Sequence, residues 1–289
     1  MLSNPLIINY HLSENCPCSL RACHAPWGRM LTGARLSDAE TKATLQSMAE
    51  HFRSPGFRFE ADRNGIDCIW LRLNITGDEP TLMNFQRLLA FVKLARGMGF
   101  EVCITTDASR PNKLPPLAPH LRAIILNVNP NGANAAGNAL APSDINPLCD
   151  RLWDVNPNLQ VSIRTLARRG DFRKLHRRLV HHSNTGGFRI FEVSRGIERA
   201  PEGELFNKGA VQNCADGQKV LNWDVPPVSA LETKQPCIRV NPEGRFFFPS
   251  GTRGNDHQYS DEIIKVGAGE AFRQIGFFPK KPAARSLAA

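Results

Sequence analysis

Short apolar runs alternate with amphipathic stretches from the start of the chain. Leu6 to Leu12 has the length and composition of a buried strand. Ser37-Asp-Ala-Glu40 then forms a capping box, in which the serine hydroxyl accepts from an early backbone N–H and the glutamate reaches back. A helix is predicted from there to about Phe52, with Leu45, Met48, Ala49 and Phe52 on one side. Residues 67–75 read as a second strand ending at Gly77. Leu82 to Met98 reads as an amphipathic helix with a stripe of Phe85, Leu88, Leu89, Val92 and Ala95, closed by Gly99. Phe100–Thr106, Ala123–Val128 and Gln160–Leu166 are the next predicted strands. A basic helix over 171–182 and a strand at Phe188–Val193 follow.

Strands separated by helical or long segments pair in parallel through crossovers. The expected class is therefore α/β, with about six mainly parallel strands in an open or barrel-like sheet. In such folds the C-terminal ends of the strands carry the chemistry. The polar loop Asn127 to Asn138 can donate to a ligand or simply turn the chain. Residues 197–234, rich in Gly, Pro and polar side chains, are expected to be an irregular cover. Cys237 to Phe248 is two apolar runs around Pro-Glu-Gly, the pattern of a hairpin, and residues 281–289 are expected to be a mobile tail.

The composition of the 289-residue chain, 42% hydrophobic and 22% charged, is that of an ordinary globular protein. No apolar run is long enough to span a membrane. The first residues lack the pattern of a secretory signal, so a cytoplasmic location is expected. A formal charge of +9 and a pI near 9.4 favour anionic partners. Much of the excess lies between Arg168 and Arg178, which reads either as a solvated helix face or as a surface for nucleic acid.

Of the eight cysteines, five (Cys68, Cys103, Cys149, Cys214 and Cys237) are scattered. Cys16, Cys18 and Cys23 are grouped in one loop after the first strand. Thiolates that close together suit a soft metal centre or an iron–sulfur cluster. A zinc site there needs a fourth ligand from His11 or His24. The second candidate feature is Leu73-Asn-Ile-Thr-Gly-Asp-Glu-Pro80, a strand that ends in a glycine-bearing acidic turn.

A first strand, a cysteine cluster and a second strand ending in a Gly-Gly-Glu-Pro-like turn resemble the radical S-adenosylmethionine superfamily. Within it, Ile8-Asn-Tyr-His-Leu-Ser before the cysteines and Asn74-Ile-Thr-Gly-Asp-Glu-Pro-Thr-Leu82 look most like viperin and its prokaryotic relatives. Val266-Gly-Ala-Gly-Glu-Ala-Phe-Arg-Gln-Ile-Gly-Phe277 is similar to their C-terminal pattern. The resemblance implies a partial (β/α) barrel over residues 1–196 and a C-terminal cover with its hairpin over 197–280. It also implies a [4Fe–4S] cluster and S-adenosylmethionine, whose reductive cleavage yields a hydrogen-abstracting radical. The implied reaction dehydrates a nucleoside triphosphate to a chain-terminating 3′-deoxy-3′,4′-didehydro nucleotide in antiviral defence, with a flavodoxin or ferredoxin as reductant.

Carried onto this sequence, the resemblance assigns the cluster to Cys16, Cys18 and Cys23 and the methionyl group to Gly77, Asp78 and Glu79. Thr106 and Asp107 fall where the superfamily places polar groups near the ribose, and Arg164 and Arg189 where an inward arginine meets phosphates. Glu79 also suits a simple helix-start cap. No side chain is singled out for proton transfer. The sequence departs from the family pattern in three places. Leu20 stands at the middle cysteine of C-x3-C-x2-C, Ala22 replaces the usual aromatic before the third cysteine, and Asp78 replaces the second glycine of the turn. Cys18 offers C-x-C-x4-C instead. The competing expectation is a catalytically degenerate relative that binds a nucleotide, nucleic acid or protein.

Overall fold

The computed structural model describes residues 4–12, 36–66, 68–77, 79–128, 140, 143–166, 191–194, 237–249 and 257–278. The chain begins with β1 (Asn4–His11). Next come α1 (Asp38–Arg53), α2 (Pro55–Arg63) and β2 (Cys68–Thr76). A 3-10 turn over Pro80–Leu82 leads to α3 (Phe85–Gly97) and β3 (Glu101–Thr106). Then α4 (Leu114–Leu117), β4 (Ala123–Val128), α5 (Ile145–Val155) and β5 (Gln160–Leu166) continue the alternation. The remaining elements are β6 (Phe191–Ser194), β7 (Cys237–Val240), β8 (Arg245–Pro249), β9 (His257–Glu262), α6 (Ile263–Val266) and α7 (Ala268–Gln274).

All nine strands belong to one unclosed sheet of order β6-β5-β4-β3-β2-β1-β7-β8-β9. Neighbours from β6 to β7 are parallel, and β7-β8-β9 turn antiparallel. This is the α/β class that the strand alternation predicts, with an unclosed, mainly parallel sheet consistent with the partial barrel that the resemblance implies. The hairpin enters the same sheet, because β7 lies parallel beside β1 with Ile7 opposite Cys237 and Asn9 opposite Arg239.

Strand side chains alternate between faces. Leu6, Ile8 and Tyr10 of β1, Leu71, Leu73 and Ile75 of β2, and Val102 and Ile104 of β3 join the helices in one apolar core. Leu88, Phe91, Val92 and Ala95 of α3 meet them from above. Burying each such large side chain contributes about 1.5–3 kcal/mol. The intervening strand positions form the second face, which is polar towards the strand C-termini.

Helix boundaries follow local chemistry. At α1 the Ser37 hydroxyl accepts from the Glu40 amide at 3.2 Å, and the Glu40 carboxylate accepts from the Ser37 amide at 2.7 Å. The expected helix from Leu82 instead begins at Phe85. Pro80 starts a separate 3-10 turn, and the Asn84 side chain accepts from the Arg87 amide at 3.2 Å to cap the true helix. After α3, Gly99 takes φ +79°, and the Phe100 amide donates back to the Ala95 carbonyl at 3.2 Å.

The C-terminal helices dock on α1 through rings. Phe52 packs on Phe57 at 4.9 Å and on Phe272 at 5.3 Å between centroids, and Phe246 lies 5.9 Å from Phe272. No helix among the described residues is long and apolar enough to cross a membrane.

Candidate active site

The acidic turn is held at the C-terminal edge of the sheet. Gly77, which follows β2, has φ +109°, a backbone angle that a side chain disfavours. Glu79 comes next in the described chain and is only 4% exposed. Its Oε1 accepts from the Thr81 amide at 3.0 Å and from the hydroxyls of Thr81 and Thr106. Its Oε2 accepts from the Asp107 amide at 2.5 Å. A carboxylate offers about four acceptor directions, so Oε2 keeps room for one more donor.

One side chain thus fastens the turn after β2 to the end of β3. The clamp is extended by Lys113, whose ammonium donates to the carbonyls of Thr81 and Met83, each at 2.7 Å. Burial pushes the Glu79 carboxyl above its usual range, against the pull of its hydrogen bonds from Thr106, Thr81 and Asp107. The Asp107 carboxylate accepts from Asn127 of β4 at 3.0 Å. Its neighbour Ala108 holds φ +52° and donates its amide to Thr106 Oγ1 at 2.9 Å. Backbone held in that region by a residue with a side chain is stored strain of the kind found at functional sites.

A row of polar side chains crosses four strands on the second face, just below this edge. Thr105 of β3 donates to the Asn74 oxygen at 3.1 Å, and Asn74 of β2 donates to the Asn9 oxygen at 2.7 Å. Asn9 of β1 donates in turn to Cys237 Sγ of β7 at 2.7 Å. These bonds fix which way both amides point. Sequence reasoning did not single out Asn9 or Asn74 as site residues. Their signal was a polar residue inside an apolar strand run, as in Leu73-Asn-Ile75.

On the same face, Arg72 donates to Glu101 at 2.8 Å and 3.2 Å, which neutralises its charge. Arg164 lies on β5, opposite Asn127 of β4 and Glu192 of β6. The structure therefore brings Gly77, Glu79, Thr106 and Asp107 together and sets Arg164 two strands from β3. Cys16, Cys18, Cys23, Leu20, Ala22, Asp78, Arg189, the helix expected over 171–182, most of the asparagine loop and residues 197–234 lie outside the described residues. Among the described residues, no three His, Cys, Asp or Glu side chains come together as metal ligands.

Tyr10 packs on Phe91 at 5.3 Å within the core. His11 packs edge-on to Phe247 at 5.5 Å. Burial, helped by the charge of Arg239, lowers its pKa to about 4. Below the ordinary value of 6.5 the unfolded chain gains a proton that the folded chain refuses until about pH 4. Stability from His11 is therefore complete above pH 6.5 and lost as the pH falls towards 4. Urea denaturation should show a loss of about 2 kcal/mol between pH 7 and pH 5 from this group. A His11→Gln variant should lose that part of the slope; an unchanged slope would place the protonation elsewhere.

No protein-family model matches the chain. Three curated proteins named S-adenosylmethionine-dependent nucleotide dehydratase do align with it. The one from Fibrobacter sp. (strain UWH6) is 24% identical over 305 residues, covering 96% of this chain and 86% of that protein. The one from Psychrobacter lutiphocae is 23% identical, covering 96% and 93%. The one from Pseudoalteromonas ulvae is 22% identical, covering 94% and 90%. The chain is similar to these dehydratases over nearly its whole length.

That similarity agrees with the viperin-like resemblance read from the first strand and the acidic turn. Among solved structures, native anSMEcpe with bound AdoMet and Cp18Cys peptide aligns at a TM-score of 0.42 and 12% identity, over 65% of this chain and 50% of that one. The assignment of fold rests on the sheet order itself.

Proposed function

We propose that this chain is a viperin-like radical S-adenosylmethionine enzyme that dehydrates a nucleoside triphosphate. The observation that carries the reading is the alignment with nucleotide dehydratases over nearly the whole chain. The donor chemistry fits the cofactors. Three grouped thiols, Cys16, Cys18 and Cys23, are the ligand type of an iron–sulfur cluster. Glu79 retains an acceptor direction for an ammonium, beside Gly77 with its positive φ. When bound, the cluster and S-adenosylmethionine would supply the radical that removes hydrogen from the sugar.

The chain's own residues have binding and orienting roles. Gly77 to Glu79 would cradle the methionyl group, with Glu79 holding the turn against β3. Thr106 and Asp107 would lie along the ribose. Arg164 and Arg189 would meet phosphates, for which a guanidinium fork is well shaped. A flavodoxin- or ferredoxin-type protein would deliver the electron in a cytoplasmic setting, and the chain-terminating product would serve antiviral defence.

Leu20, at the usual middle cysteine, favours a second reading. In it the chain is a cluster-free binder of nucleotide, nucleic acid or protein. Anaerobic iron–sulfide reconstitution decides between them. About four irons per chain, a reduced-cluster resonance perturbed by S-adenosylmethionine, and a dehydrated product from one of the four ribonucleoside triphosphates support the enzyme. A folded, colourless, iron-free protein that binds nucleic acid with steep salt dependence supports the binder.

A further inference from the structure

Among the described residues, the second face of the sheet carries a cation, Arg239, that the site described so far leaves unused. Arg239 lies on β7, where buried Ile238 and Val240 face the core and Cys237 and Arg239 take the opposite side. Cys237 accepts from Asn9, so this side is the face of the polar row. Arg239 pairs in register with Asn9 of β1 and Phe247 of β8.

Its surroundings differ from those of Arg72 and Arg245. Arg72 is satisfied by Glu101, and Arg245 by Glu243 and Glu262 at 3.2 Å and 2.9 Å. Arg239 is half-buried yet makes no ion pair with a described carboxylate. The described groups placed beside it include His11, whose titration feels its charge, and its register partners Phe247 and Asn9, none of them an anion. A partly desolvated guanidinium among neutral groups gains most from an incoming oxyanion.

We propose that Arg239 binds a phosphate group of the nucleotide substrate. The inference rests on the nucleotide reading above. Position favours phosphate over the methionyl carboxylate, and the seat is an alternative to the one at Arg164, which lies on β5 at the other end of the parallel strands from β7. The turn assigned to that group sits at β2 and β3, while Arg239 is on β7, across β1 from it. The anion that reaches Arg239 then belongs to the second ligand, with Asn9 and Asn74 lying between the two.

The test is calorimetric titration of the full, anaerobically reconstituted chain with inorganic tripolyphosphate, the four ribonucleoside triphosphates and S-adenosylmethionine. Wild type should bind tripolyphosphate and at least one nucleotide. Arg239→Gln should weaken both by ~10- to 100-fold and leave S-adenosylmethionine binding unchanged. Arg239→Met keeps the apolar stem and makes the same comparison if the glutamine variant does not fold. Arg239→Lys should recover part of the loss, because it restores the charge without the fork.

Nucleotide and tripolyphosphate binding equal to wild type in the folded variants would overturn the inference and leave the nucleotide reading standing. Loss of S-adenosylmethionine binding alone would also overturn it, by assigning the guanidinium to the methionyl carboxylate. A wild-type chain that binds no nucleotide would overturn the nucleotide reading, and this inference with it.

Discussion

Replacing Cys18 with alanine should reduce reconstituted iron from about four atoms per chain to near none and abolish turnover. A site-differentiated cluster needs three thiolates, and with Leu20 at the middle position Cys18 is the remaining sulfur between Cys16 and Cys23. The decisive companion is Cys18→Ala combined with Leu20→Cys, which rebuilds C-x3-C-x2-C. Recovery of iron and of the reduced-cluster resonance in the double variant would show that the loop and its barrel are competent and that Cys18 substitutes for the usual ligand. Full iron loading in Cys18→Ala alone would remove Cys18 from the ligand set.

The strands that pair in parallel were legible in the sequence because each is a compact apolar run. The predicted bounds of the strands at Ala123–Val128 and Gln160–Leu166 coincide with β4 and β5. The capping box at Ser37 fixed the start of α1 by its own hydrogen bonds. Other elements escaped. Ser54 both ends α1 and caps α2, and Pro55 opens the second helix, so one serine-proline step hides a helix boundary. The stripe Ile145, Leu148, Cys149 and Leu152 of α5 has helical spacing, but no side-chain cap at Asp144 marks where that helix begins.

Non-local pairing is the larger reason for what was missed. The hairpin was recognisable from its turn, yet its place beside β1 depends on residues far apart in sequence, as Asn9 and Cys237 are. The polar row depends on the same pairing. A buried asparagine is read as a site residue only once its face and its neighbours are known. The acidic turn was the opposite case, since its glycine and glutamate are local signals. Even there, the sequence left open whether Glu79 caps a turn or receives a ligand. The geometry shows it capping, through the Thr81 amide, while bridging to β3.

Glu79→Gln should destabilise the fold by about 1–3 kcal/mol, and Glu79→Ala by about 3 kcal/mol or more. The amide keeps an oxygen for the threonine hydroxyls but turns an NH2 towards the Asp107 amide, so two donors face each other where a donor met an acceptor. Alanine leaves the Thr81 and Asp107 amides without that partner and opens a void beside the end of β3. The pH dependence separates this from generic loss of packing. Burial raises the folded-state pKa of Glu79, so the folded chain binds its proton more readily than the unfolded chain. The stabilisation linked to that proton is complete below the unfolded pKa and is lost as pH rises through the higher folded one. Wild type should therefore gain on Glu79→Gln as the pH is lowered from 7 towards the ordinary glutamate range. Urea denaturation at several pH values measures the gap. A gap that closes on acidification would mean the hydrogen bonds from Thr81, Thr106 and Asp107 outweigh burial. Glu79 would then be an ordinary stabilised carboxylate, charged throughout the working range.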